Sequence, residues 1–193
     1  MAFTLPIGTE APNFNLKGVD GKTYSLEDFR NSKILTVVFS CNHCPHAIGV
    51  EDRLNKFYSD YKNEGMAMIS INSNESQTRP ADSFDAMKER ARTKKFEFPY
   101  VRDEEQTIAL KYGALRTPHF FVFDQSRLLQ YTGRMDDNTL DPTKATTNEL
   151  QVAVTSIIEN KKLETPLTNP IGCNIKWKGR DGHWVPPEAC DLV

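Results

Sequence analysis

With 193 residues, 38% of them hydrophobic and 10% aromatic, the chain can bury a core without a disulfide scaffold, and neither disorder nor a collagen-like repeat fits. Its 24 basic and 26 acidic residues leave a net charge of −2, which speaks against nucleic-acid or membrane-surface partners, since both demand a basic footprint. No apolar run reaches the length of a membrane span, and "MAFTLPIGTEAPNF" lacks the basic and apolar regions of a secretory leader, so a cytoplasmic location is expected.

In chain order, short alternating segments flank Asp20-Gly21, a hairpin-forming dipeptide. "KILTVVFS", residues 33–40, is a run of β-branched and apolar residues that reads as a strand buried on both faces. Pro45 then opens a helical pattern, with Ile48, Leu54, Phe57 and Tyr61 near helical spacing, up to Gly65. "GMAMISINSN", residues 65–74, is a second core strand, and "PADSFDAMKERARTKK" a charged, solvated helix. A right-handed crossover makes the two strands parallel neighbours. "DEEQTIALKYGAL" predicts a short helix capped by Gly113, "TPHFFVFD" a third core strand and "SRLLQYTGR" its antiparallel edge partner. "TTNELQVAVTSIIENKK" is the last amphipathic helix, with Thr147 or Asn148 as N-cap. Residues 163–193 show no period, but Trp177 and Trp184 predict that this tail packs on the body. The division expected is a domain over 1–162 and a C-terminal extension over 163–193.

The sequence holds four cysteines. Two of them, in Cys41-Asn42-His43-Cys44, stand where a buried strand hands over to a helix. A cysteine at a helix start faces unpaired amide donors, which lowers its pKa, and a partner three residues on is within reach of a small disulfide ring. The spacing therefore predicts a dithiol in which Cys41 attacks, Cys44 resolves and His43 tunes the Cys41 thiolate. Two other readings stay open: a zinc site using Cys41, Cys44, His46 and Cys173, and a pair of inert thiols. No second Cys-x-x-Cys supplies the other half of a zinc site, so no metal and no cofactor is expected. Pro45 directly after Cys44 removes a c-type haem site. Asp136, Asp137 and Asp141 lack the pattern of a calcium loop and read as turn and capping residues.

Strand, Cys-x-x-Cys, long helix, second strand, and Thr117-Pro118 opening a third strand resemble the thioredoxin fold. "GTEAPNFNLKGVDGKTYSLEDF" is similar to the redoxin branch that includes alkyl hydroperoxide reductases and thiol-specific antioxidant proteins. "CNHCP", "YTGRMDDN" and "IGCNIKWK" resemble bacterial thioredoxin-like redoxins, and the likeness runs to about Lys178. The resemblance implies an α/β chain with a thioredoxin fold, an N-terminal β-hairpin extension and a C-terminal tail packed on the domain. It also implies that a cis-Pro118 packs beside the dithiol and that Thr117 docks an extended substrate.

Three departures qualify it. Counting back from Cys41, the peroxiredoxin threonine and proline are replaced by Val38 and Ile34, although Arg116 can bring positive charge towards the sulfur; counting back from Cys44 gives Cys41 and Val37. The buried acid that thioredoxins keep six residues before the first cysteine is Leu35 here, and their Gly-Pro between the cysteines is Asn42-His43. The activity implied is thiol-disulfide oxidoreduction, with thiol peroxidase and a non-catalytic zinc- or partner-binding module as rivals. Partners would be a disulfide-containing protein or small-molecule thiol and an unknown reductant. Cys173 is an accessory thiol candidate, and Cys190 a terminal thiol without assigned function.

Overall fold

The computed structural model describes residues 4–187. The expected hairpin forms: β1 (Asn15–Gly18) and β2 (Thr23–Ser25) pair antiparallel, and Gly21 turns between them at a φ of 86°, where a side chain would be strained. All six residues of β3 (Ile34–Phe39) are buried, as the unbroken apolar run requires. Pro45 is the first residue of α1 (Pro45–Tyr61), which buries Ala47, Val50, Leu54 and Phe57. Gly65, left-handed at a φ of 91°, turns the chain into β4 (Met66–Asn72), parallel to β3.

Pro80 belongs to a single 3-10 turn, Pro80–Asp82, ahead of the charged helix α2 (Phe84–Lys94), in which the Ser83 hydroxyl accepts from the Ala86 N–H at 3.3 Å. β5 (Tyr100–Arg102) is a strand that the sequence pattern does not announce, being three residues next to a proline. It pairs parallel with β4 and antiparallel with β1, and so joins the hairpin to the sheet. α3 (Thr107–Tyr112) ends in the left-handed Gly113. β6 (Arg116–Thr117), β7 (His119–Phe123) and β8 (Leu129–Gly133) follow, with β7 antiparallel to β3 and β8 at the edge as expected. α4 (Glu149–Ile158) begins after Asn148, and β9 (Cys173–Asn174) pairs with β6 alone.

The main sheet runs β2-β1-β5-β4-β3-β7-β8. Period-two alternation sorts its side chains into two cores. Leu35, Val37 and Phe39 join Ile69, Ile71, Phe121, Phe123 and Tyr112 of α3 on one face; Ile34 and Val38 join Val50 and Leu54 of α1 and Leu150 and Val154 of α4 on the other. The architecture is the thioredoxin fold with the hairpin at one edge and a packed tail. Ile175 and Trp177 of that tail are buried in the α3-side core, and Trp184 meets the Trp177 ring edge-on at 6.0 Å. No helix among the described residues is long and apolar enough to cross a membrane.

Replacing Trp177 by alanine should therefore cost about 3 kcal/mol of stability in urea unfolding. A loss below about 0.5 kcal/mol would mean that the ring is not part of the core.

Candidate active site

β3 delivers the chain at Phe39, the Ser40 N–H donates to the Ile71 carbonyl at 2.9 Å, and the backbone then crosses Cys41 to Cys44 before Pro45 starts α1. Both thiols are almost wholly buried. Because the helix starts at Pro45, its N-cap is Cys44 rather than Cys41. The Cys44 N–H points at Cys41 Sγ at 3.4 Å. Thr117, joined to Pro118 by the expected cis bond, spans the pair: its Oγ1 lies 3.2 Å from Cys41 Sγ, and its carbonyl accepts from Cys44 Sγ at 3.2 Å when that thiol is protonated.

The two thiols are pushed apart electrostatically. The neighbouring Cys41 thiol lowers the Cys44 pKa; burial opposes this, while the Cys173 thiol and the N–H groups of Ala47 and Cys173 assist. Burial pushes the Cys41 thiol up, as do the neighbouring Cys44 sulfur and the negative charge of Asp82, while the Thr117 hydroxyl opposes them.

Asp82 was not foreseen. Its carboxylate, fully buried in the 3-10 turn after β4, accepts from the Asn42 N–H at 2.7 Å, from Asn72 Nδ2 and Asn74 Nδ2 at 3.1 Å each, and from His43 Nδ1. Burial disfavours its charge, but His43, the Asn42 N–H and Asn72 outweigh it and hold the carboxyl below the usual range. The Tyr100 hydroxyl extends the network, donating to Asn42 Oδ1 at 2.8 Å. His43 thus has Asp82 as its hydrogen-bond partner, not the Cys41 thiolate predicted for it. The available signal was Asn72-x-Asn74 at a strand end followed by Pro80-Ala-Asp82, but the aspartate reads equally well as the first turn of a solvated helix.

The tail closes the site. β9 pairs with β6 in the register Arg116↔Asn174 and Thr117↔Cys173, along the backbone edge predicted to dock a substrate. Gly172 is pressed so closely on the Thr117 carbonyl that a Cβ there would lie 2.2 Å from its oxygen. The Cys173 N–H donates to Cys44 Sγ at 3.4 Å, the Ile175 N–H to the Leu115 carbonyl at 3.1 Å, and the Lys176 N–H to Asn74 Oδ1 at 2.8 Å. Arg116, expected beside the reactive sulfur, instead donates to the Gly172 carbonyl at 3.1 Å, and its charge bears on Cys173.

The zinc set considered from sequence is not assembled, because His46 Nδ1 pairs with Thr139 Oγ1 at 2.6 Å. Cys41, His43 and Asp82 do converge, each offering a ligand atom within 4.8 Å of the others. Both oxygens of that carboxylate already accept hydrogen bonds. Asp136 accepts from the Asn138 N–H, Asp137 from those of Thr146 and Thr147, and Asp141 from that of Thr143, as capping residues do. Cys190, and any bridge from it to Cys173, lies outside the described residues.

A family model described as AhpC/TSA matches residues 7–132. The chain is similar in structure to a hypothetical protein of Sinorhizobium meliloti 1021, with 35% identity and a TM-score of 0.87 over 92% of this chain and 97% of that one. Solved structures at lower identity are thioredoxin-fold proteins. Among curated proteins it is 26% identical over 123 residues to the thiol-disulfide oxidoreductase ResA of Bacillus thuringiensis subsp. konkukian, covering 63% of this chain and 65% of ResA. It is also 26% identical over 133 residues to the chloroplastic peroxiredoxin Q of Triticum aestivum, covering 64% of this chain and 57% of that one. The chain thus spans less than two thirds of the length of either relative. The family match ends before the tail that carries Cys173.

In the reduced protein one thiolate of the pair should persist well below the ordinary thiol range in an absorbance titration, and comparison of Cys41→Ser with Cys44→Ser identifies the sulfur that carries it. A midpoint in the ordinary thiol range would show that the helix and tail donors do not act on that sulfur. Gly172→Ala should lever β9 off Thr117 and speed alkylation of Cys44 by a bulky maleimide by about tenfold, the factor that about 1.4 kcal/mol of lost docking gives an opening equilibrium. An unchanged rate would mean that the tail does not cover the sulfur.

Proposed function

Because the chain belongs to the AhpC/TSA family, we propose that it is a thiol-disulfide oxidoreductase that stores an electron pair in Cys41 and Cys44. The observation that carries this is the convergence of both sulfurs on Thr117 beside the cis Pro118, with the Cys44 N–H pointing at Cys41 Sγ. One thiolate of the pair attacks a sulfur of the substrate disulfide and expels the other as a thiolate. The second thiol of the pair then gives up its proton and attacks the first, which releases the second substrate sulfur and closes the Cys41–Cys44 disulfide. One disulfide is reduced and one is formed. The His43–Asp82 pair offers ligand atoms within 4.8 Å of Cys41 Sγ, close enough to exchange a proton with it. ResA, a relative by sequence, carries the name of this activity. The partners proposed are a protein or small-molecule disulfide and an external thiol that restores the dithiol.

A second reading is supported by the same pair of sulfurs and by the likeness to peroxiredoxin Q. One thiolate would take one oxygen from hydrogen peroxide to give a sulfenic acid, with water as product, and the second thiol would condense with it, releasing a second water.

Equilibration against graded glutathione redox buffers should convert Cys41 and Cys44 reversibly between dithiol and disulfide. Cys41→Ser and Cys44→Ser should each abolish turnover of an external disulfide, and retained turnover in Cys44→Ser would overturn the assignment. Peroxide consumption no faster than that of a free thiol would dismiss the second reading.

A further inference from the structure

We propose that Cys173 is a third redox thiol, the port through which the buried dithiol exchanges electrons with outside partners, and that its tail strand permanently occupies the edge where a disulfide is presented to Cys44. This rests on the dithiol reading above. Cys41 and Cys44 are almost fully buried, whereas Cys173 is partly exposed. An external thiol or disulfide therefore meets Cys173 first.

The geometry for relay is already built. β9 lies antiparallel on β6 with Cys173 opposite Thr117, the residue that touches both sulfurs of the dithiol. The Cys173 N–H hydrogen-bonds Cys44 Sγ at 3.4 Å, and the Cys173 side chain packs against the Cys41, Cys44 and Ala47 cluster. The register is fixed on both sides of the cysteine: Gly172 packs on Thr117 and is held by Arg116, and Ile175, Lys176 and Trp177 are tied to Leu115, Asn74 and the core.

Each step balances. The Cys173 thiol passes its proton to the Cys44 thiolate and attacks an external disulfide, forming a mixed disulfide and expelling one external thiolate. Cys44, deprotonated again, attacks Cys173 Sγ, expels the second external thiolate and forms Cys44–Cys173. Cys41 loses its proton and attacks Cys44 Sγ, giving Cys41–Cys44 and returning the proton to the released Cys173. In the other direction, two external thiols reduce Cys44–Cys173: the first attacks the exposed Cys173 sulfur and expels Cys44, and the second frees Cys173 as the external disulfide forms. Cys44, flanked by Cys41 through Thr117 and by Cys173 through the β9 backbone, is thus the sulfur shared by both internal disulfides.

The test is oxidation of the full chain with glutathione disulfide, acid quenching and mass mapping of linked peptides. Wild type should yield Cys41–Cys44 together with Cys44–Cys173, and Cys41→Ser should yield Cys44–Cys173 as its internal disulfide. Cys173→Ser should keep Cys41–Cys44 but lose the second linkage, and its reduction by a protein thiol should slow by about tenfold or more. If Cys41→Ser instead leaves Cys173 free and alkylatable beside a glutathionylated Cys44, or if Cys173→Ser is reduced at the wild-type rate, the relay is wrong while the dithiol reading stands. If wild type forms no disulfide at Cys44 at all, the dithiol reading fails with it.

Discussion

The site hangs on one buried charge. The Asp82 carboxylate lies out of water among protein donors, and an unsatisfied charge in such a place costs several kcal/mol. Its donors come from two directions: Asn42 and His43 from the cysteine loop, Asn72 and Asn74 from β4 and the turn after it. None can be withdrawn cheaply, so the loop between the thiols is fixed to the end of the central parallel pair. The same Asn74 turns its Oδ1 to the Lys176 N–H, so the constraint that holds the cysteine loop also reaches the tail.

Asp82 places negative charge beside Cys41 and opposes its ionisation, whereas the backbone of β9 aims the Cys173 N–H at Cys44. Thr117 couples both, offering a hydroxyl to one sulfur and a carbonyl to the other. His43 acts on this balance indirectly, through the carboxylate that it helps to neutralise.

Much of the fold was legible because it is written in local patterns: the apolar runs of β3 and β4, Asp20-Gly21 in the hairpin, Gly113 at the end of α3. The cis bond before Pro118 came from resemblance alone. What stayed hidden depended on long-range contact. Asp82 is close to Asn42 only because β4 is parallel to β3, and no spacing in the chain announces that. Which cysteine takes the N-cap position turned on whether the helix starts one turn earlier or at Pro45. β5 was too short for a period, and β9 is two residues whose partner lies 56 positions away in the pairing of Thr117 with Cys173.

The tail decides what kind of exchange this site can support. An extended partner and β9 need the same edge of β6, and two strands cannot occupy it together. Displacing the tail would lift Ile175 and Trp177 from the core, each worth about 1.5–3 kcal/mol of apolar burial, and would strip Cys44 of the Cys173 N–H that helps to keep it ionised. Opening therefore weakens the nucleophile that it exposes. A thiol carried on the tail itself meets no such conflict, since it reaches Cys44 with β9 in place. Gly172 is the small residue that allows this close seating on the Thr117 carbonyl. Exchange through the resident strand preserves both the core packing and the donors on Cys44, whereas exchange by strand displacement sacrifices both.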